Sequence, residues 1–334
     1  LPESADIRQI LNDICRVSQW VAEPVDDNRP ESPWISGRPK SVKGVKRIVA
    51  PSGYQARAGC CTWLNGIYWL ERVVDRSDGL VVMANCGEIG KKKVQGVQKA
   101  MEQVSVYPLL RGQDVCRWHA EPSHSIVLAQ DETAPSSRAI AEDELRRSRP
   151  KTLEYFRFFE QQLRQRSGYR KYLTEKPFYA VYNAGSYVFA PWKVVWREQA
   201  SVLTCAVIGP LDGRVVVPDH KLMLVPCESP EEAYFVCGML SNTIACYIVA
   251  SYALQTSTST HVLNYVPVPR FDPSSALHQQ TAEICKEGHT AAKNADTRRL
   301  SACKSQLDNL AAELWGLSKA ELRDIQDSLA DLTQ

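Results

Sequence analysis

Between Val42 and Val225 the chain is written mostly in short apolar, β-branched and aromatic runs separated by turn pairs. Helical spacing is confined to the two ends, one internal stretch, and a segment after residue 229. That segregation reads as an α+β fold. Cys60–Leu64 and Ile67–Leu70 flank Asn65-Gly66, a pair that tolerates the positive φ of a two-residue hairpin, and Gly79–Ala84 continues the sheet. Strands resume at Tyr187–Ala190, Lys193–Trp196, Val202–Ile208, Val215–Val217 and Leu222–Val225, with Asp212-Gly213 as a tight turn.

The helices have their own signals. Ile7, Ile10, Leu11, Ile14, Val17 and Val21 predict a helix over Ala5–Ala22, followed by a linker punctuated by Pro24, Pro30, Pro33 and Pro39. Leu153, Phe156, Phe159 and Leu163 share one face of a helix expected over Ile140–Lys171. Ser229-Pro230-Glu231-Glu232 is a capping box that starts a helix at Pro230 running to about Ser241. Leu277–Trp315 reads as mostly helical until Gly316, after which Ser318 and Glu321 cap a last helix, with Leu317 and Leu322 as a staple. The expected organisation is an N-terminal helix and linker (1–40), a body (41–273) and a C-terminal helical segment (274–334).

At 334 residues with 44% hydrophobic and 23% charged content, the chain is that of a globular protein with one large or two ordinary domains. Its longest apolar run, Ile244–Leu254, falls short of the roughly 20 residues of a membrane span. No membrane is expected as a partner. The N-terminus lacks a basic segment followed by an apolar one, so no signal peptide is expected, and a start on Leu1 suggests a piece of something longer. Eleven cysteines without a C-x-x-C pair suit reduced, mostly buried thiols in a cytoplasmic protein. The six histidines show no ligand spacing, which disfavours zinc.

Charge is uneven. Residues 41–273 hold 28 basic against 22 acidic side chains, whereas both ends are slightly acidic. Within the body, 146–176 carries ten basic residues against three acidic ones, interleaved with Tyr155, Phe156, Phe158, Phe159, Tyr169 and Tyr172. A polyanion-binding surface has that composition, and so does a solvated helix with a basic face. Lys91-Lys92-Lys93 forms a second cluster after a Gly-Glu-Ile-Gly turn.

Catalytic signatures are missing. There is no phosphate-binding G-x-x-x-x-G-K-[ST], no G-x-S-x-G, no H-E-x-x-H and no G-x-G-x-x-G. The Asn/Asp-Pro-Pro-Tyr/Phe tetrapeptide with which amino-methylating enzymes grip a flipped base is missing too. Asp212, Asp219 and Lys221 can be written as D-x6-D-x-K, a spacing that would suit a metal-dependent nuclease, although Asp212 equally begins an Asp-Gly turn.

Read together, several segments carry a resemblance. Arg57-Ala58-Gly59 and Leu64-Asn65-Gly66 precede Tyr107-Pro108-Leu109-Leu110-Arg111-Gly112-Gln113-Asp114-Val115. Then come the helix leading to Tyr169-Arg170, Pro177-Phe178-Tyr179, Lys193-Val194-Val195-Trp196-Arg197, Leu240-Ser241-Asn242-Thr243 and Val266-Pro267-Val268-Pro269. Across residues 45–272 this order resembles the C-terminal target-recognition region of N6-adenine DNA methyltransferases, including fused type II restriction–modification enzymes and phage-defence methylases. The resemblance implies a basic, mixed β-rich recognition domain with inserted helices. It also implies double-stranded DNA and a methyltransferase catalytic domain or subunit as partners. S-adenosylmethionine would then belong to that catalytic part, and no cofactor to this chain.

A recognition lobe needs cations for the phosphates and hydrogen-bonding side chains for base edges. The candidates for DNA contact are Arg57, Lys91, Lys92, Lys93, Arg111, Arg166, Arg170, Lys171, Lys193, Arg197, and the Ser/Thr run Thr256, Ser257, Thr258 and Ser259. Strand alternation places Lys193, Val195 and Arg197 on one face and Val194 and Trp196 on the other, as expected of a sheet with a basic side. Arg111 could instead hold Asp114 in a turn. Two other functions compete: a metal-dependent nuclease using Asp212, Asp219 and Lys221, and a protein-interaction subunit of a defence complex.

Overall fold

The computed structural model describes residues 19–200, 202–252 and 258–333. Most of the expected first helix lies outside these residues, and its end is corrected: Val21–Pro24 is a strand (β1) paired antiparallel with Trp34–Gly37 (β2). The prolines between them turn the chain back instead of extending it. A helix (α1, Pro39–Lys46) follows, then a two-residue strand (β3, Arg57–Ala58).

Asn65-Gly66 does not turn a hairpin. It opens a single helical turn (α2, Asn65–Tyr68), because the Thr62 hydroxyl donates to the Asn65 side-chain oxygen (2.5 Å) and the Ile67 N–H to the Leu64 carbonyl. The hairpin comes one strand later, at Asp78-Gly79, joining Trp69–Asp75 (β4) to Leu80–Asn85 (β5). Gln98–Glu102 (β6) and Val106–Leu110 (β7) follow. Val115–Cys116 (β8) and His119–Ala120 (β9) then pair with each other ahead of His124–Val127 (β10).

The expected internal helix is broken into α3 (Glu142–Ser148), α4 (Pro150–Phe158), α5 (Glu160–Arg164) and a π-helical turn, Tyr169–Leu173. Pro150 excludes Arg149 from the helical region, where φ is −143° and ψ is 59°. Leu153, Phe156, Phe159 and Leu163 are nevertheless buried together.

Four more strands follow: Trp192–Arg197 (β11), Cys205–Ile208 (β12), Val217–Pro218 (β13) and Leu222–Cys227 (β14). Asp212 and Gly213 adopt positive φ (49° and 73°) in the tight turn between β12 and β13. The last helices are α6 (Pro230–Ser241), α7 (Thr243–Tyr252), α8 (Ala276–Lys293), α9 (Thr297–Leu314) and α10 (Lys319–Leu332). Ser229 caps α6 and the Ser318/Glu321 box caps α10, as their local sequences dictate.

The result is an α+β fold built on two main sheets. One has the order β13-β7-β10-β4-β5-β6 and is antiparallel apart from the β13–β7 pair; the other is β12-β11-β14-β3, antiparallel throughout. The first sheet packs with α3–α5 and the Phe178–Phe189 segment into an aromatic-rich core. The second presents Val194, Trp196, Val207, Met223 and Val225 to the helical layer of α6–α10. Its other face, with Val195, Ala206, Ile208, Leu222 and Leu224, closes on Leu110, Val115 and Val216. Both faces of β11 are therefore covered, which corrects the expected open basic side. In the helical layer α8 packs between α6 and α9, and α10 lies across α7 and α1.

The ten described cysteines are free thiols, mostly buried. Among the described residues no single helix is long and apolar enough to cross a membrane; α6 and α7, apolar as a pair, bend by 56° and are buried in the core.

Candidate nucleic-acid interface

The candidate cations separate by what they touch. Arg166, only 3% exposed, donates to the carbonyls of Leu163 (3.0 Å), Thr62 (2.8 Å), Phe178 (2.7 Å) and Ala180 (3.0 Å), with Tyr68 and Tyr169 packed on its guanidinium. It ties α5 to two distant loops and is not available to DNA. Lys193 is fully buried, donating to the Ala190 carbonyl, and burial pushes its pKa down to about 7. Its expected phosphate contact is corrected for the same reason.

Arg111 binds Asp114 and Ser123 and lies over Trp69, with 12% of its side chain exposed; it builds the Gly112–Asp114 turn. Thr258 is also structural: buried, it donates from its backbone to Glu198 (2.8 Å) and from its hydroxyl to the Arg197 carbonyl, and its own carbonyl accepts from the Trp196 indole. Ser259 caps the short helical turn Thr260–Asn264. Thr256 and Ser257 lie outside the described residues. Arg197 is half-buried at the end of β11.

Much of the basic stretch 146–176 neutralises itself. Arg146 pairs with Glu142 and Asp143, Lys151 with Glu154, Arg157 with Glu142, and Arg164 with Glu160. The helices α3–α5 thus present ion pairs where sequence alone suggested an open cationic face.

A different set remains uncompensated. Arg57, Arg170, Lys171 and Arg270 are exposed, and among the described residues none has a carboxylate within 4.0 Å. Three of them lie over aromatic rings. Arg270 lies 4.6 Å over Tyr54, and both line a cavity of about 290 Å³ with Gln55, Arg57 and Tyr187. Arg57 lies 5.8 Å over Tyr187. The Tyr187 hydroxyl is pushed up to about 12 by burial, with Cys60 and Tyr182 adding to the shift and Arg57 opposing it. Tyr182 packs at a tilt against Trp63 (5.4 Å, 40°) and Tyr172 (5.6 Å, 30°), and Lys171 sits 5.0 Å over Tyr172.

Backbone geometry fixes this run. A Cβ on Gly59 would strike the carbonyls of Pro218 and Asp219, so the chain after Arg57 lies flush against the β13–β14 connection. Lys91, Lys92 and Lys93 form a separate exposed tip on the loop between β5 and β6. The buried Asn85 holds that loop by donating to the Gly66 and Gln95 carbonyls (2.8 and 3.0 Å) and accepting from the Val97 N–H (2.7 Å).

The nuclease-like residues are otherwise engaged. Asp212 occupies its turn, Asp219 is buried and accepts from the Lys221 N–H (2.8 Å), and the Lys221 ammonium pairs with Glu198 (2.9 Å). Burial pushes the Asp219 carboxyl up to about 6, against the pull of Lys221 and Arg111. Among the described residues one trio of metal-binding side chains converges: Glu71, Cys86 and His124, from β4, the end of β5 and β10. Burial and the Glu71 carboxylate push the Cys86 thiol up to about 11, favouring the neutral thiol over the thiolate a metal needs.

No family model matches the chain. Over 147 residues it is 24% identical to the Type II methyltransferase M.NspV of a Nostoc species, a match covering 43% of this chain and 29% of that protein. Its structure is similar to part of the Type IIL restriction–modification enzyme MmeI, solved in complex with DNA, with a TM-score of 0.51 at 12% identity. That superposition covers 84% of this chain and 36% of MmeI. The chain therefore spans about a third of the length of the enzymes it matches. The two likenesses link it to restriction–modification enzymes.

Trp63, Tyr182 and Arg270 were not legible as site residues. Trp63 and Tyr182 come from loops far apart in sequence and meet only in the fold, and Arg270 likewise reaches Tyr54 across a long stretch of chain. Tyr172 stood out only as one of the aromatics interleaving the basic stretch.

Proposed function

We propose that this chain is the duplex-DNA recognition module of an adenine-N6 DNA methyltransferase or a fused restriction–modification enzyme, with methyl transfer carried out by a separate catalytic part that binds S-adenosylmethionine. The observation that carries this reading is a set of exposed cations that lie over aromatic rings (Arg270 over Tyr54, Arg57 over Tyr187, Lys171 over Tyr172) and have no carboxylate within 4.0 Å among the described residues. Exposed cations free of acidic partners leave their field available to a polyanion such as the phosphate backbone.

In this reading Arg57, Arg270, Arg170 and Lys171 hold phosphates, and the lysine loop steers or grips the flank of the duplex. Such contacts set register without reading sequence; specificity then falls to side chains that reach base edges from neighbouring loops. MmeI, whose structure was determined with DNA, is similar in fold over most of this chain, which supports the same orientation of roles.

The test is the salt dependence of duplex binding. Counterion release makes log affinity fall linearly with log salt, with a slope near −0.9 per phosphate neutralised. Four to seven contacts predict a slope of about −4 to −6. Binding that is absent, or indifferent to salt, would sink the reading.

A further inference from the structure

Three rings carried by separate stretches meet at the surface. Trp63 and Tyr172 stack at 5.8 Å with planes 18° apart, and Tyr182 closes the trio. Tyr172 is 52% exposed and Tyr182 39%. Exposed aromatic surface of this kind marks a contact site more often than an accident of folding.

The trio is held rigidly. Trp63 sits at φ 55°, a left-handed conformation that a bulky residue adopts only where its surroundings hold it. A Cβ at Gly168 would collide with the Trp63 indole, so the ring rests directly on that backbone. Arg166 fastens the Thr62 carbonyl just before Trp63. Tyr182 is fixed by the antiparallel bridge to Cys61, with N–H···O distances of 2.8 and 3.2 Å.

The surroundings select the ligand. Lys171 lies over Tyr172, and Arg170 beside it is exposed with no carboxylate within 4.0 Å among the described residues. Flat π faces bordered by unpaired cations fit a ligand that is itself flat and anionic. A purely apolar protein face would leave those cations uncompensated.

We propose that Trp63, Tyr172 and Tyr182 form a stacking platform for an unpaired nucleobase, with Lys171 and Arg170 holding the adjoining phosphates. The proposal rests on the DNA-binding reading but requires more, namely a base outside the duplex stack. Stacking of this kind tolerates any base, because every base presents a π face.

The experiment measures binding of the whole chain to three labelled probes: a fully paired duplex, the same duplex with one bulged adenine, and single-stranded oligothymidine. Tyr172→Ala is expected to weaken the bulged and single-stranded probes by about tenfold, while the paired duplex changes less than about twofold. Tyr172→Phe keeps the ring and restores binding to both. Because Tyr172 is half-exposed, an unchanged melting curve confirms that the variant folds. Equal effects of Tyr172→Ala on all three probes, or none, overturn the platform while leaving the duplex reading intact. A wild-type chain that ignores the paired duplex yet loses oligothymidine binding in Tyr172→Ala overturns the duplex reading and keeps the platform. Nucleic-acid binding that is unchanged, beside weakened association with a methyltransferase catalytic domain, overturns the platform in favour of a protein-docking face.

Discussion

Two neighbouring stretches of this chain, both rich in arginine and lysine, are opposite in the fold. Helices α3–α5 carry Arg146, Lys151, Arg157 and Arg164, each matched by a carboxylate at helical spacing or from the neighbouring helix. The π-helical turn that follows, with Arg170 and Lys171, and the exposed Arg57 have no carboxylate within 4.0 Å among the described residues, and Lys171 and Arg57 lie over aromatic rings. A charge count over 146–176 leaves out Glu142, Asp143 and Glu144, which open α3, and so overstates the cationic face of these helices. What distinguishes the two is whether a nearby carboxylate meets the cation: Glu160 pairs with Arg164 four residues on, whereas Glu175, four residues after Lys171, makes no ion pair with it among the described residues.

Arg166 stands at the junction of the two regions, and removing it should have the largest effect. Arg166→Leu strands the carbonyls of Thr62, Phe178 and Ala180 in a buried site, so a loss of about 3–5 kcal/mol is expected in chemical denaturation. A loss below about 1 kcal/mol would mean the guanidinium does not tie the two regions together.

Lys193 gives the next effect, through pH. Its folded pKa near 7 lies below the unfolded value of about 10.4, so between these values the unfolded chain binds the extra proton. Stability should therefore rise as pH increases from about 7 to 10, by an amount on the order of a few kcal/mol. Below pH 7 the lysine is charged in both states and its contribution no longer changes. Lys193→Met should flatten the difference between the two pH values; identical profiles for variant and wild type would show that the ammonium reaches solvent.

Smaller effects test the contrast directly. Arg57→Ala and Lys171→Ala should each make the salt slope of duplex binding shallower by about 1. Arg157→Ala or Arg164→Ala, which break surface ion pairs in α4 and α5, should leave that slope unchanged and move stability by no more than about 0.5 kcal/mol. If the paired and unpaired arginines behaved alike, the distinction between the two stretches would fail.

Local chemistry was readable from sequence, and partnership at a distance was not. Ser229 and Ser318 announced their helices because a cap needs only three residues of context. Asp212-Gly213 marked its turn for the same reason. Asn65-Gly66 misled because Thr62 captures the Asn65 side chain, while Asp78-Gly79, the same kind of pair, makes the real hairpin. Arg149-Pro150 visibly breaks the internal helix, but the continuing apolar face concealed it. The alternation of β11 is as expected; that both its faces are covered depends on α6–α10 on one side and on Leu110, Val115 and Val216 on the other. Of the site, Arg57, Arg170 and Lys171 stand exposed and uncompensated, whereas Arg166, Lys193, Arg111 and Thr258 serve the scaffold.

Asn85 clasps the stem of its loop from within, whereas Lys91–Lys93 stand at an exposed tip. Duties are divided along a dozen residues: the clasp keeps β5 and its loop in shape, while at the tip only Lys93 is tied back, to Glu88, and Lys91 and Lys92 have no ion-pair partner among the described residues. Single codon changes at the tip can alter what the molecule touches without unravelling the sheet, while a change at the clasp would be felt through the whole hairpin. A lineage under pressure to alter its target could rewrite such a fingertip repeatedly and keep the same hand.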